Sequence, residues 1–339
     1  MNVGTSELRE APAAPDAPAA PADAPAGGAA PAVPAGGAGG GGAGGAGATA
    51  RALLESLRPR QWPKNAVVLV GLVFSLEVRQ PPQVARAVAA TLLFCLLSGA
   101  VYLLNDLLDA DKDRRHPLKR ARPIAAGRLA PPLAAGAAAA ALAVGLGAAL
   151  RLSPAFAAVA LAYLAVQAAY LGGLKHVVLL DVMALAAGFV LRAVAGAVVV
   201  GVPISPWLYV CTMLLALFLA LGKRRQELVL LAAGAAGHRP ALEAYTLPLL
   251  DHLLQAVTTS LLVAYMLYTF FAETLPRTRA MMLTIPFVLY GLFRYLYLVH
   301  ARGEGGSPED VLLRDRPLAA CILLWVAAVL AALYLAPPG

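Results

Sequence analysis

The most informative run of the sequence is Asn105-Asp106-Leu107-Leu108-Asp109-Ala110-Asp111-Lys112-Asp113-Arg114-Arg115-His116-Pro117-Leu118-Lys119-Arg120-Ala121-Arg122-Pro123. It combines four aspartates and an asparagine with six lysine or arginine residues, and it follows eighteen residues without any charge. On a helix, Asp106, Asp109 and Asp113 have the i, i+3, i+7 spacing that places side chains on one face. Such carboxylates repel one another unless a cation lies between them, and Mg²⁺ is bound by one or two carboxylates together with substrate phosphates. The stretch therefore predicts a metal–phosphate site at a helix end, with basic residues beside it for the remaining charge of the substrate.

Composition indicates an all-α polytopic membrane protein. The 339 residues are 60% hydrophobic and 14% charged, whereas soluble domains carry roughly 25% charged residues. The net charge of +8 does not indicate a nucleic-acid partner, because the basic residues lie between long apolar runs. All three cysteines lie inside apolar runs without metal or disulfide spacing, so we expect small buried side chains.

The chain divides into a tail and a membrane domain. Residues 1–50 are rich in Ala, Pro and Gly, cannot form an apolar core and are expected to be disordered. Residues 51–339 are expected to form a transmembrane catalytic domain of about nine helices, since each of nine segments is apolar over roughly the length that crosses a bilayer. These segments are 65–78, 86–106, 131–150, 154–172, 178–201, 205–222, 249–272, 280–299 and 318–336.

The charges between the spans predict the orientation. Alternate loops are rich in lysine and arginine, and the long loop 112–128 is one of them. By the positive-inside rule these loops and the N-terminus are cytoplasmic. The acidic stretch, Lys175, Asp181 and the basic cluster at 223–225 then lie at one depth, as a single site open to the cytoplasm requires.

Three further groups of polar residues are candidates for that site. Asp181 and Arg192 lie within a predicted span, where charged side chains usually face a polar cavity. They are about 16 Å apart along a helix, so they do not pair with each other and each needs another partner. The alternative to a polar cavity is an internal ion pair between either residue and a neighbouring helix. In the cluster 223–225 the candidates are Lys223 and Arg225, unless the cluster only anchors the span at lipid headgroups. In Arg58–Asn65 the candidate is Lys64, unless Trp62 and its basic neighbours are an interfacial anchor.

These motifs resemble a known family. The pattern of Asn105, Asp106, Asp109 and Asp113 after the second span is similar to the first Asp-rich motif of the UbiA superfamily of intramembrane prenyltransferases, which has a nine-helix fold. The segment Arg58–Asn65, the run from Asn105 through His116 to Gly127, Leu174-Lys175 with Asp181 and Arg192, and Gly222-Lys223-Arg224 resemble the decaprenyl-phosphate phosphoribosyltransferase branch. The second acidic motif of the superfamily is reduced to Asp181, with Leu185 four residues on, and this suits a branch whose lipid carries one phosphate.

The resemblance implies transfer of 5-phosphoribosyl from phosphoribosyl diphosphate to a polyprenyl phosphate in the bacterial cell membrane, in service of cell-envelope arabinan synthesis. It implies Mg²⁺, with Mn²⁺ as the alternative ion; membrane lipids are further partners and homo-oligomers are left open. The catalytic residues are then Asp106, Asp109 and Asp181. The metal ligands are Asn105, Asp106, Asp109 and Asp113. The substrate-binding residues are Lys64, Asn105, Lys119, Arg122, Lys175, Arg192, Lys223 and Arg225.

Other functions were weighed against this one. The runner-up is a prenyltransferase of the same fold that acts on an aromatic or lipid acceptor; the lone Asp181 and the many basic residues argue against it. A CDP-alcohol phosphotransferase needs an Asp-Gly and Ala-Arg arrangement that is missing around Asp109. A transporter tends to show inverted repeats and a midplane site, whereas the polar residues of this chain gather at one membrane face.

Overall fold

The computed structural model describes residues 43–116, 119–232, 240–272, 275, 279–304, 311–312 and 314–335. Within these ranges all regular structure is helical, which confirms the predicted fold class. The helices are α1 (Ala43–Ser56), α2 (Val70–Phe74), α3 (Pro81–Leu108), α4 (Ala110–Arg115), α5 (Pro131–Leu152), α6 (Pro154–Gly172), α7 (Leu180–Val200), α8 (Pro206–Ala232), α9 (Pro240–Glu243), α10 (Leu247–Phe271), α11 (Ile285–Ala301) and α12 (Arg316–Tyr334). Short 3₁₀ helices include Pro59–Leu69, Lys119–Ala121, Leu174–His176 and Ala280–Thr284.

Eight helical segments of the described chain are long and apolar enough to cross a membrane. They are α3, α5, α6, α7, α8, α10, α12 and the joined segment Ala280–Ala301, and they match eight of the nine predicted spans to within a few residues at most ends. The largest difference is at α8, which continues past the predicted end at residue 222 to Ala232. The charged residues there stay helical because Arg224 pairs with Glu227 at i, i+3.

The first predicted span, 65–78, is not a regular α-helix. A 3₁₀ helix over Pro59–Leu69 leads into the five residues of α2. Pro63 lies inside the 3₁₀ helix, where its ring and missing N–H disfavour α-helical hydrogen bonding. The segment lies directly on α7: a Cβ at Gly196 would collide with the carbonyl oxygen of Val68, and a Cβ at Gly71 would lie 2.6 Å from the backbone nitrogen of Ala197.

The first described helix begins at Ala43, inside the range that the sequence assigned to the tail. Ala52 and Leu53, near its C-terminal end, pack in one cluster with Leu103 and Ile124. The remainder of the predicted tail, residues 1–42, lies outside the described residues.

Helix α7 lies at the centre of the bundle. It is rich in alanine, glycine and valine, and most of its side chains are buried. Small side chains permit close approach of neighbouring helices in a membrane, and α6, α8, α3 and the 3₁₀ helix all contact it. The ends of α3 and α6, the start of α7 and the charged part of α8 lie at the same side of the bundle because successive spans reverse direction. This arrangement brings the predicted polar residues together.

Candidate active site

The acidic stretch is interrupted by a break in the helix at Asp109. Asp109 leaves helical geometry with φ −96° and ψ 5°, which ends α3 and starts the short helix α4. Asp106 and Asp113 are nevertheless brought together, since Nη1 of Arg122 lies 3.1 Å from Oδ1 of Asp106 and 2.6 Å from Oδ2 of Asp113. Asp109 has a different cationic partner from the other two carboxylates, since its Oδ1 lies 3.4 Å from Nζ of Lys175. The placement of all three on one helix face stays a prediction.

Arg58 is a further member of this cluster. Its Nη2 donates to Oδ1 of Asp106 at 2.5 Å, and its guanidinium lies 4.8 Å from the centroid of the Tyr102 ring. Arg58 has φ 52°, a left-handed conformation that is uncommon outside glycine. The sequence placed it in a polar motif but selected Lys64 as the phosphate ligand.

A divalent ion fits the pair formed by Asp106 and Asp113. In the part of the chain that the structure describes, no three His, Cys, Asp or Glu side chains are placed to hold a metal ion. A single cationic nitrogen of Arg122 already contacts both carboxylates, so their oxygens are no farther apart than the sum of those two contacts. Two carboxylates at such spacing, completed by phosphate oxygens, are a typical Mg²⁺ environment. That Asn105 and Asp109 complete a set of four ligands stays a prediction.

Asp181 lies in the interior and holds other side chains in place. It is fully buried; Oδ2 accepts from Nε of Arg224 at 2.5 Å and Oδ1 accepts from the hydroxyl of Tyr245 at 2.7 Å. Tyr245 in turn accepts from the backbone N–H of Leu179. Burial, together with the hydrogen bond to Asp181, raises the pKa of Tyr245 to about 12. Asp181 and Arg192 therefore have separate partners, as the sequence predicts, and a direct catalytic role for Asp181 stays a prediction.

In the basic cluster of α8 the residue that points inward is Arg224. It is 1% exposed, and besides Asp181 it contacts Glu227 at 2.6 Å and the Tyr170 hydroxyl at 3.4 Å. The two residues favoured by the sequence lie beside it. Arg225 pairs with Asp251 at 2.6 Å, and Lys223 is half-buried. A helix that is apolar on all sides gives no sequence signal for which of three adjacent basic residues faces the interior.

Arg192 is not brought to the acidic cluster. It is 5% exposed, and its three nitrogens donate to Asn65 Oδ1 at 2.7 Å, Gly188 O at 2.9 Å and the Tyr163 hydroxyl at 3.0 Å. These partners lie about three helical turns from Asp181, and binding of substrate by Arg192 stays a prediction.

The remaining candidates lie around the cluster. Asn105 is half-buried in the last turn of α3, and its carbonyl accepts from the N–H of Asp109 at 3.0 Å. Lys64 is half-buried on the 3₁₀ helix, whereas Lys119 is exposed in the turn after α4. Pro117 and Leu118, between α4 and this turn, lie outside the described residues.

Known proteins resemble the chain in sequence and fold. A family model described as the UbiA prenyltransferase family matches residues 66–308. The decaprenyl-phosphate phosphoribosyltransferase of Mycolicibacterium smegmatis is 35% identical over 293 residues, which cover 83% of this chain and 92% of that protein. The protein of the same name from Corynebacterium glutamicum is 34% identical over 303 residues, covering 85% and 88%. A solved UbiA homologue from Archaeoglobus fulgidus bound to GPP and Mg²⁺ superposes with a TM-score of 0.65 at 20% identity, over 83% of this chain and 99% of that one. At that identity the structural likeness shows the shared fold.

Proposed function

Because the chain belongs to the UbiA prenyltransferase family, we propose that it is a membrane-embedded transferase that moves 5-phosphoribosyl from phosphoribosyl diphosphate to decaprenyl phosphate. Relatives named for this activity match most of the chain. The single observation that carries the proposal is the cluster at the end of α3, where Arg58, Asp106, Arg122 and Asp113 form one chain of ion pairs. The cluster therefore places carboxylates, which suit a metal ion, next to guanidinium groups, which suit phosphates.

The cluster suits a diphosphate leaving group. Asp106 and Asp113 would hold Mg²⁺, and a bound divalent ion neutralises the charge that develops on the departing diphosphate. Arg58 and Arg122 neutralise the two carboxylates in the structure described here. When a metal takes that role, both guanidinium groups become available for phosphate oxygens, which they bind in bidentate fashion. Lys175, 3.4 Å from Asp109, is the next cation along the same surface.

The reaction needs no strong general base. The bond from the anomeric carbon to the diphosphate oxygen breaks, and a bond from the same carbon to an oxygen of the lipid phosphate forms. The lipid phosphate is already an anion, so the residues of this chain must hold two anions close together. We assign that task to the arginines of the cluster and to Lys175, with Lys64, Lys119 and Lys223 at its edge. Decaprenyl phosphate enters from the bilayer, and the sugar diphosphate enters from the cytoplasm of a bacterial cell.

The test is an assay of the purified chain with phosphoribosyl diphosphate labelled in the ribose and with polyprenyl phosphates of several lengths. We expect label in the lipid phase and release of diphosphate, both dependent on Mg²⁺. Asp106→Asn should lower the rate by at least about 10-fold, since even loss of a residue that only supports a metal ligand costs about 10–100-fold. Asp111→Asn should not lower it, because Asp111 is exposed and pairs only with its neighbour Arg114 among the described contacts. Retained turnover in Asp106→Asn would refute the site.

The second candidate is transfer of a prenyl group from a prenyl diphosphate to an aromatic or lipid acceptor. It is favoured by the family description and by the solved homologues bound to prenyl diphosphates with Mg²⁺. The same purified chain should be offered geranyl diphosphate with an aromatic acceptor. Turnover of this pair without turnover of phosphoribosyl diphosphate would select the second candidate.

A further inference from the structure

The buried Arg192 lies far from the acidic cluster and yet is connected to it through the 3₁₀ helix Pro59–Leu69. That helix is eleven residues long, although 3₁₀ runs longer than three or four residues are uncommon because their hydrogen bonds are strained. It contains Pro63 and starts after Arg58 in a left-handed conformation. Local hydrogen bonds therefore do not account for its persistence, and contacts with the rest of the bundle must hold it.

Asn65 supplies the polar part of those contacts. It is 1% exposed. Its Oδ1 accepts from Nε of Arg192 on α7, and its Nδ2 donates to Ser98 at 3.2 Å and to Cys95 at 3.3 Å on α3. Because the arginine can only donate, it fixes the amide with its oxygen toward α7 and its nitrogen toward α3. One side chain thus ties the 3₁₀ helix to both neighbouring helices.

Arg192 itself is held firmly. Its other nitrogens donate to Gly188 O and to the Tyr163 hydroxyl, which also accepts from Gln167 at 2.8 Å. Its charge lies 4.7 Å from the centroid of the Tyr163 ring and 5.3 Å from that of Phe189, a favourable position for a desolvated cation. The described ion pairs give Arg192 no carboxylate partner, so the neutral amide of Asn65 is among its principal acceptors.

Asn65, in the middle of the 3₁₀ helix, and Arg58, directly before its start, both contact α3, and the two contacts have matching spacings on the two helices. From Asn65 to Arg58 the 3₁₀ helix rises about 14 Å, and from Ser98 to Asp106 helix α3 rises about 12 Å. The contact inside the bundle is the hydrogen bond from Asn65 to Ser98. The contact at the end nearer the acidic cluster is the ion pair of Arg58 with Asp106. The hydrogen bonds of Asn65 therefore act, together with the close contacts to α7, to set the height of the 3₁₀ helix along α3.

We propose that Arg192 is a positioning residue, which holds Asn65 and thereby sets the place of Arg58 over Asp106. The proposal deepens the proposed function, on which its kinetic part rests, and it assigns to Arg192 a role other than substrate binding. It predicts that Arg192 influences the binding of phosphoribosyl diphosphate without contact to it.

Trp62 offers a readout that is independent of activity. It lies on the same 3₁₀ helix between Arg58 and Asn65, half-buried, with Nε1 donating to the carbonyl of Leu57 at 3.3 Å. The chain has three tryptophans, so in the full-length protein carrying Trp207→Phe and Trp325→Phe the fluorescence comes from Trp62 alone.

The experiment compares Arg192→Gln with the matched control Arg151→Gln, whose arginine is exposed at the opposite side of the membrane domain. We expect Arg192→Gln to raise the acrylamide quenching constant of Trp62 about twofold, as local loosening does. We expect its KM for phosphoribosyl diphosphate to rise about tenfold with a smaller change in kcat. The control should change neither value. An unchanged quenching constant in Arg192→Gln overturns the proposal, and a raised KM beside it would then indicate direct contact with substrate.

Two variants of Asn65 keep the test decisive if Arg192→Gln does not fold. Asn65→Asp retains an oxygen for Arg192 and can accept from the Ser98 hydroxyl, whereas Asn65→Ala retains neither contact. We expect Trp62 to stay protected in the first variant and to become more accessible in the second. Equal quenching in both overturns the proposal. If the wild-type chain does not turn over phosphoribosyl diphosphate, the proposed function fails, while the Trp62 measurements still decide whether Arg192 positions the helix.

Discussion

Individual side chains show both how far sequence reasoning reaches and where it stops. The chemistry of Asp106 is visible in the sequence, because loops seldom place three acids at helical spacing directly after an apolar span. The partners Arg58, Arg224 and Tyr245 were not selected. Arg58 reaches Asp106 from a left-handed backbone conformation, which its sequence position does not reveal. Tyr245 lies 64 residues from Asp181 along the chain. Such pairings are set by tertiary packing, which spacing along the chain does not encode.

Arg122 gives the sharpest prediction at the residue scale. It contacts both Asp106 and Asp113, so Arg122→Gln leaves two buried acids with less compensation and removes a phosphate ligand. We expect KM for phosphoribosyl diphosphate to rise by at least about tenfold, as loss of a charge-assisted contact predicts. Initial rates at varied substrate concentration measure it.

The matched control for Arg122→Gln is Arg114→Gln in the neighbouring helix α4. Arg114 is exposed and pairs with the exposed Asp111, and surface pairs contribute little. The same rise of KM in both variants would show that net positive charge, and not the position of Arg122, is what the substrate requires.

Tyr245 gives a prediction about stability. Tyr245→Phe removes the donor to the buried Asp181 and the acceptor for the N–H of Leu179, so a buried carboxylate and a partly buried amide each lose a partner. We expect the free energy of unfolding to fall by about 1–3 kcal/mol, measured by urea denaturation in detergent micelles. Tyr209→Phe is the control, because Tyr209 is exposed; a comparable loss in both would contradict the role given to Tyr245.

At the scale of elements, the long spans were predictable and the first span was not. Eight apolar segments leave no choice but helices, since lipid offers no partner for backbone polar groups. The segment 65–78 is short and follows two prolines, and its conformation is decided by contact with α7. The close contacts of Gly71 and Gly196 are invisible in a sequence where glycine is common.

Gly196→Ala tests this helix contact. A methyl group there would collide with the carbonyl oxygen of Val68, and backbone atoms in a packed bundle move little. We expect destabilisation of about 1–3 kcal/mol or more and a lower Tm in detergent. Gly147→Ala in α5 has open space around its Cβ and should be neutral or slightly stabilising, by up to about 1 kcal/mol. Equal Tm values for the two variants would argue against a tight contact between α7 and the 3₁₀ helix.

The start of α12 gives a prediction about pH. Asp315 caps α12 through the N–H of Leu318 at 2.9 Å and receives two hydrogen bonds from Arg294. The bond from Arg294 lowers the pKa of Asp315 below its ordinary value. A lowered folded-state pKa contributes stability above the unfolded value of about 4, and this contribution is lost as the pH falls through the folded value.

The measurement is Tm against pH for the wild-type chain and for Asp315→Asn. We expect the wild type to be the more stable at pH 7 and its advantage to shrink below about pH 4. Asn keeps the capping oxygen, so the difference isolates the charge. A difference that does not vary with pH would assign the effect to packing.

At the scale of the whole molecule, charge distribution predicts how the domain sits in the bilayer. The acidic cluster, Lys175 and the basic part of α8 lie at one side of the bundle, as a common site requires. The opposite ends of the helices carry few charges, among them Arg79, Arg86 and Arg151. Loops rich in lysine and arginine are usually retained in the cytoplasm, so we expect the site to face the compartment that holds soluble sugar phosphates.

Single-cysteine labelling tests this orientation. In a chain whose three native cysteines are replaced by alanine, Ala126→Cys marks the site face and Gln80→Cys marks the opposite face; both positions are exposed. We expect a membrane-impermeant maleimide to label Gln80→Cys in intact bacterial spheroplasts and Ala126→Cys only after permeabilisation. The two positions control for each other, since each must react fully in detergent. The opposite pattern would place the acidic cluster outside the cell, where a cytoplasmic sugar diphosphate does not reach it, and the proposed reaction would lose its donor.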